Sequence, residues 1–284
     1  MKRELMASVI VASVLVPTFV AAKSTELTLA QVQYQRRVIV EATVAPTEAQ
    51  SEDFWQTYWE YRGQVSMLNK RTVALIEEFT AVADGFTGDQ ASWMINETLD
   101  IETKRAKLKE QYLKKFKDIL VPKQVLRWYQ TERKIDALIR AEMALAIPFA
   151  GANLPDVPSP TRTDLRSHRE EAINALVQPT EKQEKAFWYR YREYSRKMIA
   201  MEERATELIE EYAANYDTIS QEQALRMAKE AADIDADRLV RLQRVMRSLQ
   251  ATLNARQMVR FLQVELKFDA LVDAGLALAI PISE

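Results

Sequence analysis

Residues 124–148 read QVLRWYQTERKIDALIRAEMALAIP, and residues 257–281 read QMVRFLQVELKFDALVDAGLALAIP. Both stretches carry Gln, Arg, Gln, Glu, Lys and Asp at the same places and end on Ala-Leu-Ala-Ile-Pro. They lie 133 residues apart, and at this spacing residues 46–148 align with residues 179–281 without a gap and with 38 of 103 positions identical. The chain therefore contains an internal duplication.

Composition and residue spacing predict long helices in both copies. Only 5 glycines occur in 284 residues, whereas strong helix formers are abundant. Apolar residues recur in steps of four and three, a pattern typical of packed helices. In the first copy we expect helices over 47–83, 87–119 and 122–147. The predicted fold class is all-α, with two tandem repeats of about three long antiparallel helices each in an elongated bundle or cradle.

Short polar motifs predict where these helices begin. A Thr or Ser followed three residues later by Gln forms a capping box, in which each side chain bonds to a backbone amide of the other residue. An asparagine, Asn254, is expected to cap the last helix. The capping boxes pair Thr47 with Gln50, Thr87 with Gln90, Thr180 with Gln183 and Ser220 with Gln223.

The chain divides into five segments. Residues 1–22 have a basic start, an apolar run and small residues at their end, which predicts a cleaved signal peptide; an uncleaved membrane anchor is the alternative. Residues 23–45 have no clear counterpart in the second copy, and this N-terminal arm is either helical or extended. Helical repeat 1 spans 46–150, a proline-rich linker spans 151–166, and helical repeat 2 spans 167–284.

Charge and residue content exclude several functions. A net charge of −2 with mixed signs argues against a nucleic-acid protein. The absence of cysteine excludes thiol chemistry and cysteine metal sites, and His168 is the only histidine. No glycine-rich phosphate loop is present. We predict no catalytic residue, no cofactor and no metal site.

The capping motifs also carry a family resemblance. Leu27-Thr28-Leu29-Ala30-Gln31 matches the LTxxQ signature of the Spy and CpxP family of periplasmic proteins, which this chain resembles. The boxes at Thr87 and Ser220 match the signature with another apolar residue in front, and Ser220 replaces Thr. The chain departs from the family by carrying the helical module twice. The resemblance implies ATP-independent binding of unfolded proteins on the concave face of a helical cradle, in an envelope stress response.

Two charged residues in each copy lie on predicted apolar stripes. Because a charge on a packed face needs a partner, we expect Arg105 to pair with Glu132 and Arg238 to pair with Glu265. These pairs are interpreted as structural.

The first helix of each copy carries more aromatic rings than one face can bury. Some of these rings are core, and others are candidates for a client-binding patch flanked by arginines. The candidate client-binding residues are Trp55, Tyr58, Trp59, Arg62, Trp188, Tyr189, Arg190 and Arg192.

Two functions are compatible with these features. The first is a periplasmic, ATP-independent chaperone-like or stress-response protein that binds unfolded or partner proteins. The alternative is a structural or regulatory helical interaction protein of the cell envelope with one specific partner. The expected partners are unfolded or envelope proteins, with a homodimer as one assembly, and we expect no nucleic acid and no membrane insertion after signal cleavage.

Overall fold

The computed structural model describes residues 29–82, 85–146, 169–215 and 218–279. Within these ranges the protein consists of eight α-helices and no strand, which confirms the predicted all-α helical bundle. The predicted signal peptide 1–22, the linker 151–166, Leu27 with Thr28, His168 and the two Ile-Pro helix ends lie outside the described residues.

The helices fall into two sets of four. The first unit comprises α1 Leu29–Val44, α2 Glu48–Ala81, α3 Gly88–Ile119 and α4 Pro122–Ala146. The second unit comprises α5 Arg169–Val177, α6 Glu181–Ala214, α7 Gln221–Leu249 and α8 Ala255–Ala279.

The predicted caps form at the helix starts. At α3 the Gln90 amide donates to Thr87 Oγ1 at 3.2 Å, while the Thr87 amide donates to Gln90 Oε1 at 2.9 Å. Ser220 and Gln223 make the same reciprocal bonds at α7. At α8 the Asn254 side chain accepts from the Gln257 amide at 3.0 Å, as predicted. These local signals were sufficient because each cap involves residues only three positions apart.

The N-terminal arm has a counterpart after all. Residues 29–44 form α1, and its equivalent 133 residues later is α5, so each unit has four helices instead of the predicted three. Both helices are followed by a residue with positive φ, at Ala45 (46°) and Gln178 (52°), which turns the chain into the next helix. The sequence does not reveal that α1 and α5 are equivalent, because only three of the ten residues 36–45 are identical to residues 169–178.

Repeated glutamines at the starts of α2 and α4, and of α6 and α8, join the helix ends within each unit by hydrogen bonds. Gln124 Nε2 donates to the Ala45 carbonyl at 2.8 Å. Gln50 Nε2 donates to the Ile119 carbonyl at 3.0 Å and to Gln124 Oε1 at 3.1 Å. The same three bonds recur in the second unit among Gln257, Gln178, Gln183 and Thr252.

The two units share their hydrophobic cores. The α2–α3 hairpin ends in Phe79, Met94 and Ile95, which belong to the core built around α6 and α8. In return, the α6–α7 hairpin contributes Tyr212 and Met227 to the core of the first unit. The predicted boundaries at residues 150 and 167 therefore do not divide the core into two independent parts.

Candidate functional site

The aromatic residues of α2 do not form one exposed patch. Tyr58 is fully buried and Trp55 is nearly so, because both pack among the rings of the first-unit core. The prediction that Tyr58 and Trp55 lie on a client-binding surface is therefore wrong. Trp59 is 37% exposed, stacks on Trp55 and lines a cleft described below.

The equivalent segment of α6 is more open. Tyr189 is 73% exposed, and half-buried Trp188 lies beside it. Arg192 lies over the Trp188 ring at 5.7 Å and pairs with Glu170 at 3.5 Å. Together with Ile199, these side chains line a shallow surface, which we call the α6 strip.

The other two candidate arginines have structural contacts. Arg190 donates to the carbonyl of Ala186 on its own helix at 3.0 Å. Arg62 reaches across to Glu132 at 3.0 Å, although it also lines the cleft next to Trp59. Of the eight candidates, the structure therefore brings only Trp59 and Arg62 together at a concave site.

The two predicted ion pairs are wrong. Glu132 pairs with Arg36 and Arg62, and Glu265 pairs with Arg169. The reason is that α1 and α5, whose packing against α4 and α8 was not predicted, place Arg36 and Arg169 beside these carboxylates.

Arg105 and Arg238, the arginines of the predicted pairs, have other partners. Arg105 donates to Asn69 Oδ1 at 3.0 Å and lies 3.7 Å from Glu102. Arg238 pairs with Asp273 at 2.7 Å and with Asp269 at 3.5 Å.

Glu132 is the centre of a buried polar cluster in the first unit. Its two oxygens accept from Arg36 at 3.1 and 3.0 Å, from Arg62 at 3.0 Å and from the Tyr58 hydroxyl at 2.7 Å. Burial, followed by the Glu132 charge, raises the pKa of Tyr58 well above its usual value, so the phenol stays protonated and donates. A second buried pair, Lys109 with Asp136 at 2.9 Å, adjoins this cluster.

The equivalent cluster of the second unit is richer in carboxylates. Arg169 contacts Glu265 at 2.5 Å, Glu202 at 3.5 Å and Asp269 at 3.8 Å. Burial raises the pKa of Asp269 to about 6, although Arg238 and Arg169 oppose the rise. The first-unit cluster therefore has an excess of cations, and the second-unit cluster an excess of acids.

A cleft of about 640 Å³ opens between α2, α3, α4 and α8. Such a volume is in the range of pockets that bind ligands in other proteins. Its walls are mainly apolar and include Leu75, Ile76, Phe79, Met94, Ile95, Ile139, Met143, Val259, Leu262 and Leu266. Charged side chains also line it: Arg36, Arg62, Arg105, Arg140, Lys267, Glu102 and Asp136.

A second cavity is lined by residues that lie 133 positions from those of the cleft, and this cavity is almost closed. That cavity measures about 60 Å³ and is lined by Ile209, Tyr212 and Met227, the equivalents of Ile76, Phe79 and Met94. Sequence reasoning did not find the open cleft, because its existence depends on side chains that differ between the copies.

Two substitutions account for the closure. Tyr129 stands where the open cleft has Leu262, and its hydroxyl donates to Asp235 at 2.9 Å. Arg133 stands in place of Leu266 and contacts Asp235 at 3.2 Å and Asp273 at 3.7 Å. These larger, paired side chains occupy the space that corresponds to the space left free by the leucines at the open cleft.

Two further features of the described residues bear on function. In the described parts of the chain, no three His, Cys, Asp or Glu side chains are grouped so that they could hold a metal ion. Among the helices α1 to α8, none has a stretch long and apolar enough to cross a membrane.

No known family, curated protein or solved structure matches this chain.

Proposed function

We propose that the protein binds apolar segments of unfolded polypeptides without ATP, as a chaperone-like or stress-response protein of the periplasm, and that the open cleft is its binding site. The cleft is the observation that carries the proposal. Unfolded chains offer apolar segments of varied shape, and a large apolar cleft can accept them at low specificity. Met94 and Met143 add adaptable surface to its walls.

The periplasmic location is part of this proposal. It is supported by the pattern of residues 1–22 and by the resemblance to the Spy and CpxP family. The boxes at Thr87 and Ser220 contribute to that resemblance, and in the structure they cap α3 and α7.

Suppression of aggregation tests the proposal. The purified protein is mixed at near-stoichiometric ratio with a chemically denatured client that aggregates on dilution, and light scattering is recorded. We expect the wild type to suppress scattering and Leu262→Tyr to lose part of this activity, because the larger ring narrows the cleft at the position where Tyr129 lines the closed cavity. Val240→Tyr, which adds the same ring at a 38% exposed position outside the cleft, is the control. No suppression by the wild type would refute the proposal.

The α6 strip favours the second candidate function, binding of one specific envelope partner. Its most exposed ring, Tyr189, lies apart from the cleft and beside the charged Arg192. A photoreactive phenylalanine analogue in place of Tyr189 tests this candidate by crosslinking in cells. A single crosslinked protein, together with no general client protection, would favour the specific partner over the chaperone-like function.

A further inference from the structure

The open cleft has two chemically different ends. Along α2 its lining runs from Arg62 through Asn69 to Ile76 and Phe79, a distance of about 25 Å. The antiparallel α3 matches this order, since Arg105 bonds to Asn69 while Met94 joins the same core as Phe79. The cleft is therefore polar at one end and apolar at the other.

The polar end carries more positive than negative side chains. Arg62, Arg105 and Arg140 line it together with Glu102 and Asp136. Glu102 is shared by two arginines, at 2.9 Å from Arg140 and 3.7 Å from Arg105. Asp136 is already paired with Lys109, and Glu132 is surrounded by its own donors. An anion entering this end would meet cations that are only partly compensated.

Arg105 has an unused donor at this end. Arg105 is 9% exposed, and its Nε lies 3.7 Å from Glu102 Oε1 but donates no hydrogen bond to a described residue. A buried donor of this kind is costly unless a partner is bound. Arginine is also the side chain best suited to a carboxylate, because its planar fork presents parallel donors.

The residues that differ between the open cleft and the closed cavity also change the charge at this end. At the position of Arg140 the closed cavity has Asp273, and at the position of Leu266 it has Arg133. At the closed cavity these two side chains, Arg133 of α4 and Asp273 of α8, contact each other at 3.7 Å. At the open cleft Leu266 cannot pair, so Arg140 contacts Glu102 instead and lines the cleft with its side chain 38% exposed.

We propose that the open cleft binds a single-chain amphipathic carboxylate, such as a fatty acid, with its carboxylate at Arg105 and Arg140 and its chain along Ile76, Phe79 and Leu262. This ligand goes beyond the proposed function, although it uses the same cleft. The apolar walls supply the burial of the chain, and the excess of arginines over carboxylates at the polar end distinguishes the acid from an uncharged chain of equal length.

Isothermal titration calorimetry with decanoate, below its critical micelle concentration, tests the inference. We expect one decanoate per chain and an affinity for 1-decanol lower by about tenfold or more, because the alcohol lacks the charge. Arg140→Gln is expected to weaken decanoate binding by a similar factor and to leave 1-decanol binding unchanged. Arg204→Gln is the matched control, since Arg204 is similarly exposed and pairs with Glu230 but does not line the cleft.

A second variant keeps the test decisive if Arg140→Gln disturbs the fold. Leu262→Tyr is expected to weaken binding of both ligands, because it introduces the larger ring that Tyr129 supplies at the closed cavity. Equal affinities for decanoate and 1-decanol, or equal effects of Arg140→Gln and Arg204→Gln, would overturn the inference.

The outcomes separate this inference from the proposed function. Client protection that is reduced in Leu262→Tyr, with no decanoate binding by the wild type, would refute the inference alone. Decanoate binding without any client protection would refute the proposed function alone.

Discussion

Replacing Glu132 by Gln removes the charge that holds the first-unit cluster together. In the wild type this fully buried carboxylate accepts from Arg36, Arg62 and Tyr58. The amide has one acceptor oxygen instead of two and no charge, so Arg36 stays buried without a counter-ion. Breaking a buried ion pair by removing one partner costs about 3 to 5 kcal/mol. We expect a loss of this size in the free energy of unfolding.

The matched change in the second unit is Glu265→Gln. Arg169 keeps Glu202 at 3.5 Å and Asp269 at 3.8 Å, so its charge remains compensated. The loss should then be that of one charged hydrogen bond, about 1.5 to 3 kcal/mol. Neutralising one acid also reduces repulsion within this carboxylate-rich cluster.

Urea unfolding followed by far-ultraviolet circular dichroism measures both losses. The comparison requires equal denaturant slopes, so that a shifted midpoint reports stability. Glu132→Gln should be the less stable variant by about 1 to 2 kcal/mol, which is the difference between the middles of the two ranges. Equal losses, or a greater loss for Glu265→Gln, would refute the view that the two clusters differ in charge balance.

Three further outcomes are expected. The pKa of Asp269 is raised to about 6, so its carboxyl group binds a proton more tightly in the folded state than in the unfolded chain. The free energy of unfolding should therefore fall by about 2 to 3 kcal/mol as the pH rises from about 4 to 6. Asp269→Asn should remove this pH dependence when urea unfolding is measured at several pH values. Asp136, whose pKa is lowered, changes the stability only below about pH 4. Thr87→Ala should cost about 1 kcal/mol through loss of the α3 cap, and Thr87→Ser should restore it in the same assay. Tyr58→Phe should cost about 1.5 to 3 kcal/mol, since its hydroxyl donates to the charged Glu132; a neutral effect on thermal unfolding would contradict this bond.

The helices and their caps could be predicted because their signals are local. The box from Thr87 to Gln90 spans three residues, and so does the cap from Asn254 to Gln257. The ion pairs could not be predicted, because the partner of Glu132 is Arg36, 96 residues away on a helix with weak similarity to α5. The one available signal was that Arg36 and Arg169 are identical at the same 133-residue spacing.

The open cleft depends on divergence between the copies rather than on the pattern they share. Leu262 and Leu266 are as typical of a packed helix as Tyr129 and Arg133, and each pair is compatible with the helical period. Only the packing of α4 and α8 against the two hairpins shows that one pair leaves space and the other fills it. A comparison of the copies at buried positions could have identified these residues, but it could not have shown which place stays open.

Photo-crosslinking from the cleft tests the central claim most directly. A photoreactive phenylalanine analogue is placed at Ile76, which lines the open cleft, or at its equivalent Ile209, which lines the closed cavity. With a denatured client present during irradiation, we expect client adducts from position 76 and few from position 209, with Leu262→Tyr reducing the former. Adducts of equal yield from both positions, or none from position 76, would contradict binding in the open cleft.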